Sequence, residues 1–242
     1  MKISLAALAA ILALATPAQA HHIWIEQPQD QAAVIRFGEF GENLRETSPG
    51  LLDNFGKPTA TLISSKGERE AEAVKSPTGF TLPFAVGDGE AIVAEDMAFR
   101  LNKFKRGDRE ITSWYRPGAR YVTSLAAQPA KLTLDIVPAG QPGSFKVFFK
   151  SQPLRKAKVS IVVQSGWAKE ARTDEQGQVD FSLPWKGSYV VEVGHIDPTP
   201  GERQGASGPE KYDGVNYVTT LHVTQSEGAA PIAAGPAAAP TK

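Results

Sequence analysis

The sequence predicts an all-β protein. Gly, Pro, Asn and Asp residues interrupt the chain at intervals of roughly ten residues. Between these interruptions lie short runs rich in β-branched and aromatic residues, and no amphipathic helical stretch exceeds about two turns. Short strands at this spacing, separated by turn residues, are typical of a β-sandwich.

The first half of the chain contains five predicted strands. A short helix or an ordered loop is expected over residues 44–55, and the charged segment 102–110 is expected to be solvated. The predicted strands cover residues 33–37, 59–64, 79–84, 90–94 and 121–125.

The pattern restarts at Gln128-Pro129-Ala130, which predicts a domain boundary between residues 21–128 and residues 131–226. In the second half, Gly177 ends a predicted hairpin turn that begins at Asp174, at a position that favours positive φ. The predicted strands there cover residues 132–137, 145–149, 158–163, 179–183 and 189–193.

The second half resembles the small transthyretin-like sandwich in segments 156–159, 173–177 and 189–191. We therefore expect two immunoglobulin-like or transthyretin-like β-sandwich domains in tandem. Residues 227–242 are mostly Ala, Pro and Gly, cannot bury a core, and are expected to be a disordered tail.

Residues 1–20 have the pattern of a secretory signal peptide. Lys2 precedes an apolar run over residues 3–15, and Ala18-Gln19-Ala20 is an A-x-A cleavage signal. The run is too short for a spanning helix, so we favour cleavage after Ala20 over an uncleaved anchor. The mature protein is then expected to begin at His21, in the periplasm, without insertion into the membrane.

Composition limits the partners and the metal chemistry. Of the 26 basic and 26 acidic residues, cleavage removes only Lys2, leaving 25 against 26 and a formal charge of −1. This balance argues against nucleic acid as a partner. There is no cysteine, and Met97 is the one methionine after residue 20, so thiolate and thioether-rich sites are excluded. Imidazole, carboxylate and backbone ligands remain, which suit Ni(II), Co(II), Cu(II) or Zn(II).

Two of the four histidines, His21 and His22, follow the predicted cleavage site directly. A free α-amine has a pKa near 7.7–8.0 and can bind a metal at neutral pH. The amine and the His21 imidazole can chelate one ion, as in a histidine brace. Alternatively, the amine, the deprotonated amide of His22 and its imidazole form a planar nitrogen set. Both geometries remain open, as does the possibility that the pair binds no metal.

His195 and Asp197 lie at the end of a predicted strand, where His195 shares the face of Tyr189, Val191 and Val193. Together they can supply two metal ligands, or one ligand and its orienting carboxylate, and we expect them to close the site formed by the N-terminal pair. The alternative is that His195 caps the core with a hydrogen bond. Strand alternation places His222 on the face opposite Tyr217, so we expect it at the surface.

Longer segments resemble a family of secreted β-sandwich proteins often labelled periplasmic components of nickel/cobalt uptake. The similar segments are 21–26, 36–39, 44–46, 50–53, 134–138, 165–167, 183–187, 195–197 and 200–202. The resemblance implies periplasmic binding of a transition metal, most directly at His21 and His195. Many family members have an acidic residue at the position of His22.

These observations favour a metal-binding protein that captures or delivers nickel, cobalt or copper(II), with a membrane transporter as a candidate partner, without catalytic turnover. We find no nucleophile elbow, phosphate loop or HExxH motif. One alternative is a carbohydrate-binding or adhesion module that uses Trp24, Trp114, Trp167 and Trp185. A third is a copper oxidase with a histidine brace.

Overall fold

The computed structural model describes residues 21–29 and 31–241, and it confirms an all-β fold. The predicted signal peptide lies outside these residues. The described chain contains twenty strands and one short 3-10 helix, Leu51–Asn54, and no α-helix. It also contains no helix long and apolar enough to cross a membrane.

The strands are numbered in chain order. The first ten are β1 His22–Glu26, β2 Val34–Glu39, β3 Leu44–Arg45, β4 Thr59–Ser64, β5 Gly67–Glu72, β6 Val74–Ser76, β7 Gly79–Thr81, β8 Ala91–Glu95, β9 Leu101–Arg106 and β10 Arg109–Val122. The next ten are β11 Leu134–Pro138, β12 Ser144–Phe149, β13 Gln152–Pro153, β14 Lys158–Val162, β15 Ala168–Arg172, β16 Gln178–Asp180, β17 Gly187–Asp197, β18 Gly201–Gly205, β19 Gly208–Tyr212 and β20 Gly214–Gln225.

A nine-stranded sheet forms the centre of the molecule, in the order β15-β14-β17-β20-β10-β8-β4-β5, with β9 paired to β10. Strands β10 and β20 pair in parallel from Ser113 and Gly214 to Tyr121 and His222. Residues 217–223 of β20 are buried in an unbroken run. Such a run is typical of a strand covered on both faces, and it explains why alternation fails there.

Two smaller sheets cover this central sheet. The sheet β1-β2-β7-β6, with β3 paired to β2, packs on the first half and encloses one apolar core. The sheet β11-β12-β13, with β16 paired to β12, packs on the second half and encloses another. Fully burying one large apolar side chain contributes about 1.5–3 kcal/mol. Fully buried members of the two cores include Ile23, Ile25, Ile35, Ile92, Phe145, Ile161, Val191 and Leu221.

The predicted boundary near residue 129 lies in the connection from β10 to β11, and the central sheet crosses it. The sheet contains β4, β5, β8 and β10 from one side and β14, β15, β17 and β20 from the other. Two tandem immunoglobulin-like domains therefore remain a hypothesis. The parallel pairing of β10 with β20 joins the two halves of the chain, so a test of this hypothesis asks whether each half folds without it.

The structure adds detail to three local expectations. Residues 102–110 are exposed to solvent, as expected, and form part of a hairpin of β9 and β10. The predicted strand 121–125 is the end of the longer β10. Residues 227–241, predicted to be a disordered tail, lie on the surface, and one backbone contact pairs Ala229 with Trp185. Composition does not predict this contact because backbone hydrogen bonds do not require apolar side chains.

Candidate functional site

Strand β1 fixes the position of both N-terminal histidines. Its side chains alternate, so Ile23 enters the first core while Trp24 packs on the other side against Phe40. Two buried hydroxyls hold its backbone: Tyr115 donates to the His21 carbonyl at 2.8 Å, and Thr220 donates to the Ile23 carbonyl at 2.7 Å. Since burial raises the pKa of Tyr115, this hydroxyl stays a donor. His21 is therefore held at a defined place.

The His21 imidazole lies between two carboxylates. Its Nε2 is 2.6 Å from Oε1 of Glu46, a residue with no exposed surface. Its Nδ1 is 3.6 Å from Oε1 of Glu39, whose side chain is 13% exposed. The ring of Phe37 covers the imidazole, with 5.2 Å between the ring centroids. Strands β2 and β3 supply Glu39 and bring Glu46, which follows β3 directly, to the same edge.

This geometry determines which nitrogen of His21 carries the proton. A carboxylate only accepts hydrogen bonds, so Nε2 donates to Glu46 and the neutral ring has its lone pair on Nδ1. That lone pair faces Oε1 of Glu39, which is buried and has no hydrogen-bond partner among the described residues. Two acceptors that face each other repel unless a proton or a cation lies between them.

Burial raises the pKa of Glu39, and His21, the next largest influence, opposes this effect. Glu42 and Glu192 add to the increase through their negative charge. The Glu39 carboxylate therefore binds a proton more readily than an exposed glutamate does. A cation near Oε1 would offset its negative charge in the same way.

His22 points to the other side of β1. Its Nδ1 is 3.2 Å from Oε1 of Glu192 on β17. Both line a groove of about 600 Å³, together with Glu39, Glu42 and the ion pair of Glu170 with Lys158 at 2.7 Å. Four carboxylates face one lysine in this groove. A cleft lined mainly by one sign of charge raises the local concentration of counter-ions, so this groove attracts cations.

No group of three or more His, Asp or Glu side chains in the described part of the chain is arranged to hold a metal ion. His21 shows why: Glu39 and Glu46 lie at opposite nitrogens of one ring, so they cannot both join it on a single ion. The donors that fit one ion are Nδ1 of His21 and Oε1 of Glu39. Their separation suits two ligand atoms that each lie about 2.0–2.2 Å from an ion.

The structure does not bring His195 and Asp197 to this place. His195 lies on the opposite face of β17 from Glu192 and packs on Phe149 at 4.3 Å between ring centroids. Burial lowers the pKa of His195. Asp197 accepts a hydrogen bond from Lys150 at 2.8 Å, and this bond contributes most to lowering the pKa of Asp197 to about 2. The structure therefore places His195 and Asp197 on the face of β17 opposite Glu192, the residue that contacts His22, and does not bring the four predicted ligands together.

The expectation that His222 lies at the surface is also wrong. It is 5% exposed, and its Nδ1 is 2.6 Å from the carbonyl oxygen of Ile25. A carbonyl only accepts, so Nδ1 is the donor, and Nε2 has no partner in the described residues. Strand alternation failed because β1 covers the face of β20 that carries His222.

Sequence reasoning missed Glu39, Glu46 and Glu192 as parts of the site. Each is one of many carboxylates in a chain with 26 acidic residues. Only the fold distinguishes these three glutamates from the other acidic residues. Strand β2 pairs with β3, which brings Glu39 and Glu46 together, and β17 packs against β1, which brings Glu192 to His22. No spacing in the sequence signals that arrangement.

Residues 18–197 match the family described as "Domain of unknown function (DUF4198)". The match covers most of the chain, so the chain belongs to this family. No curated protein matches it. A solved structure from the work titled "Structural insight into host cell surface retention of a 1.5-MDa bacterial ice-binding adhesin" aligns with 9% identity and a TM-score of 0.25. That alignment covers 87% of this chain, and this chain spans 65% of the other.

Proposed function

We propose that the chain, after cleavage behind Ala20, is a periplasmic protein that binds a divalent transition metal at its N-terminus. The observation that supports this most directly is the pair formed by Nδ1 of His21 and the unpartnered, buried Oε1 of Glu39, 3.6 Å apart. Glu46 fixes the tautomer that leaves Nδ1 free. Carboxylates that orient a metal-binding histidine in this way are typical of metal sites.

The third donor in this proposal is the α-amine of His21. It exists only after cleavage, which is consistent with the lack of a cluster of three side chains in the described residues. The amine and Nδ1 of one histidine form a chelate, and Glu39 adds a carboxylate. The bound metal would supply a positive charge between these donors.

This geometry favours the histidine brace over the planar chelate through His22. The backbone of His22 is paired with Gly38, and its imidazole is held at Glu192 on the other side of β1. A chelate through His22 would require this residue to leave the strand. His22 and Glu192 instead belong to the acidic groove, which would concentrate cations beside the site.

Nitrogen and oxygen donors suit Ni(II), Co(II) and Cu(II), with Zn(II) also possible. Cu(II) binds such donors most tightly among these ions, so selection of nickel or cobalt would depend on metal supply. We propose capture and delivery without turnover, with a membrane transporter as the receiving partner.

The two alternatives have less support. Trp24 and Trp114 are buried, and Trp167 packs edge-on against Trp185 at 4.9 Å, so few aromatic faces are open to a sugar. A copper oxidase brace needs a second histidine on the same ion, and His22 lies on the other side of β1 from His21.

Calorimetric titration with Cu(II) and Ni(II) tests the proposal, using protein whose start at His21 is verified by intact mass. His21→Ala should abolish tight binding, while His22→Ala should retain it with a smaller loss. Equal affinity in His21→Ala and the parent would refute the site.

A further inference from the structure

The C-terminal segment, residues 227–241, runs along the surface without joining a strand. Three contacts hold it. Ala229 exchanges backbone hydrogen bonds with Pro184 and Lys186, each 2.9 Å long. The carbonyl of Gly235 accepts from Nδ2 of Asn43 at 2.9 Å. The last contact lies at the candidate site.

Thr241 completes the hydrogen bonding of Glu46. Its Oγ1 donates to Oε1 at 2.7 Å and its backbone N–H donates to Oε2 at 3.0 Å. With Nε2 of His21, these are three donors on one carboxylate that has no exposed surface. Two of the three come from a residue 195 positions away in the sequence.

A buried carboxylate is costly unless its oxygens are hydrogen-bonded. Without Thr241, Oε2 of Glu46 would lose its one hydrogen bond from the described residues, and water would enter beside it. Glu46 would then turn more freely, and its hold on the Nε2 proton of His21 would weaken. The order of the imidazole therefore depends on the far end of the chain.

The composition of the segment suits this role. Pro231, Pro236 and Pro240 restrict φ, which lowers the conformational freedom that the segment loses when it lies down on the surface. Such a segment can be held by few contacts. Residues 227–241 therefore form a surface segment that ends with Thr241 at Glu46.

We propose that Thr241 is a positioning residue of the metal site: it fixes Glu46, which in turn keeps the proton of His21 on Nε2 and leaves Nδ1 free for the metal. The effect of Thr241 on metal affinity rests on the proposed function. Its effect on the tautomer of His21 does not require metal.

The first test is metal-free. Two-bond ¹H–¹⁵N spectra of the full chain at about pH 8, above the ordinary histidine pKa, distinguish a protonated from a bare ring nitrogen. The parent should show His21 with a bare Nδ1. Thr241→Val removes the hydroxyl at nearly constant shape and should give mixed tautomers, while Thr241→Ser should restore the parent spectrum. An unchanged His21 signal in Thr241→Val, and also in a chain that ends at Gln225, overturns the inference.

The second test is the affinity for Cu(II). Loss of an outer partner of a metal ligand typically weakens binding tenfold to a hundredfold. We expect a loss in this range for Thr241→Val and for the shortened chain, with recovery in Thr241→Ser. Equal affinity in all four proteins overturns the positioning role. If the His21 tautomer changes in Thr241→Val but the parent binds no metal, the positioning role of Thr241 is supported and the proposed function is refuted.

Discussion

Nε2 of His21 lies 2.6 Å from Oε1 of the fully buried Glu46. This contact orders the imidazole and leaves Nδ1 facing Glu39, which lacks a partner of its own among the described residues. The candidate site is therefore a histidine held by one carboxylate and presented to another. Five consequences of this arrangement and of the fold, and the direct test of the chelate, are open to experiment.

Glu39→Gln should weaken Cu(II) and Ni(II) binding by about tenfold or more, because a neutral amide is a poorer ligand than a carboxylate. Glu42→Gln is the matched control, since Glu42 is exposed and lines the same groove, while the carboxylate 3.6 Å from Nδ1 of His21 belongs to Glu39. Calorimetry on both variants measures the difference. Equal losses would mean that only the general charge of the groove attracts the metal.

Glu39→Gln should also change the stability of the metal-free protein. Because burial raises the pKa of Glu39, the folded chain binds its proton more tightly than the unfolded chain. Its contribution to the free energy of unfolding then decreases as the pH rises above the ordinary value of 4.5. Urea unfolding near neutral pH should find the variant at least as stable as the parent. A clear loss of stability would show that the Glu39 charge has a partner in the folded chain.

The buried His222 should make the protein less stable in mild acid. Burial lowers its pKa, and that of His195, so the unfolded chain binds the extra protons. The free energy of unfolding should decrease as the pH falls below the ordinary value of 6.5. His222→Gln should flatten this dependence more than His195→Gln, because His195 is less buried. Urea titrations at several pH values measure the slopes, and parallel slopes in parent and His222→Gln would contradict the assignment.

His195→Ala and Asp197→Asn should leave metal affinity unchanged, because these residues lie on the opposite face of β17 from Glu192 and contact Phe149 and Lys150. Asp197→Asn should instead reduce stability at neutral pH, where the parent keeps the charged pair with Lys150. The pKa of Asp197 is lowered to about 2, so the parent loses this contribution as the pH falls from the ordinary 3.8 toward that value, and the difference between variant and parent should shrink in acid. Metal titration and unfolding of the same two proteins check both expectations. A loss of metal affinity of about tenfold in His195→Ala would show that His195 is a metal ligand after all.

The all-β class and the histidines of the candidate site could be predicted from the sequence. Turn residues at regular spacing predicted the strands, and two adjacent histidines after the predicted cleavage site indicated where to look for a site. The carboxylates could not be predicted, because Glu39 and Glu46 approach His21 only through the pairing of β1, β2 and β3. The position of His222 could not be read from alternation, since that pattern does not show when both faces of a strand are covered.

The parallel pairing of β10 with β20 also leads to a prediction about folding. Nine registered residue pairs, from Ser113 with Gly214 to Tyr121 with His222, join the two parts of the chain. We expect residues 21–241 to unfold in one cooperative transition, and residues 21–127 alone to lack a cooperative melt because β10 loses this neighbour. Calorimetry of the two proteins tests this. Independent melting of residues 21–127 and 131–226 would support two tandem domains instead.

Protein that begins at His21 with a free α-amine should bind Cu(II) far more tightly than the same protein acetylated at that amine. Acetylation retains both imidazoles and every carboxylate, converts the α-amine into an amide and, unlike an added residue, supplies no new amine. We expect calorimetry to find binding weaker by more than about a hundredfold in the acetylated protein, beyond the loss typical of an outer partner. Equal affinity in the two proteins would mean that the amine has no part in holding the metal.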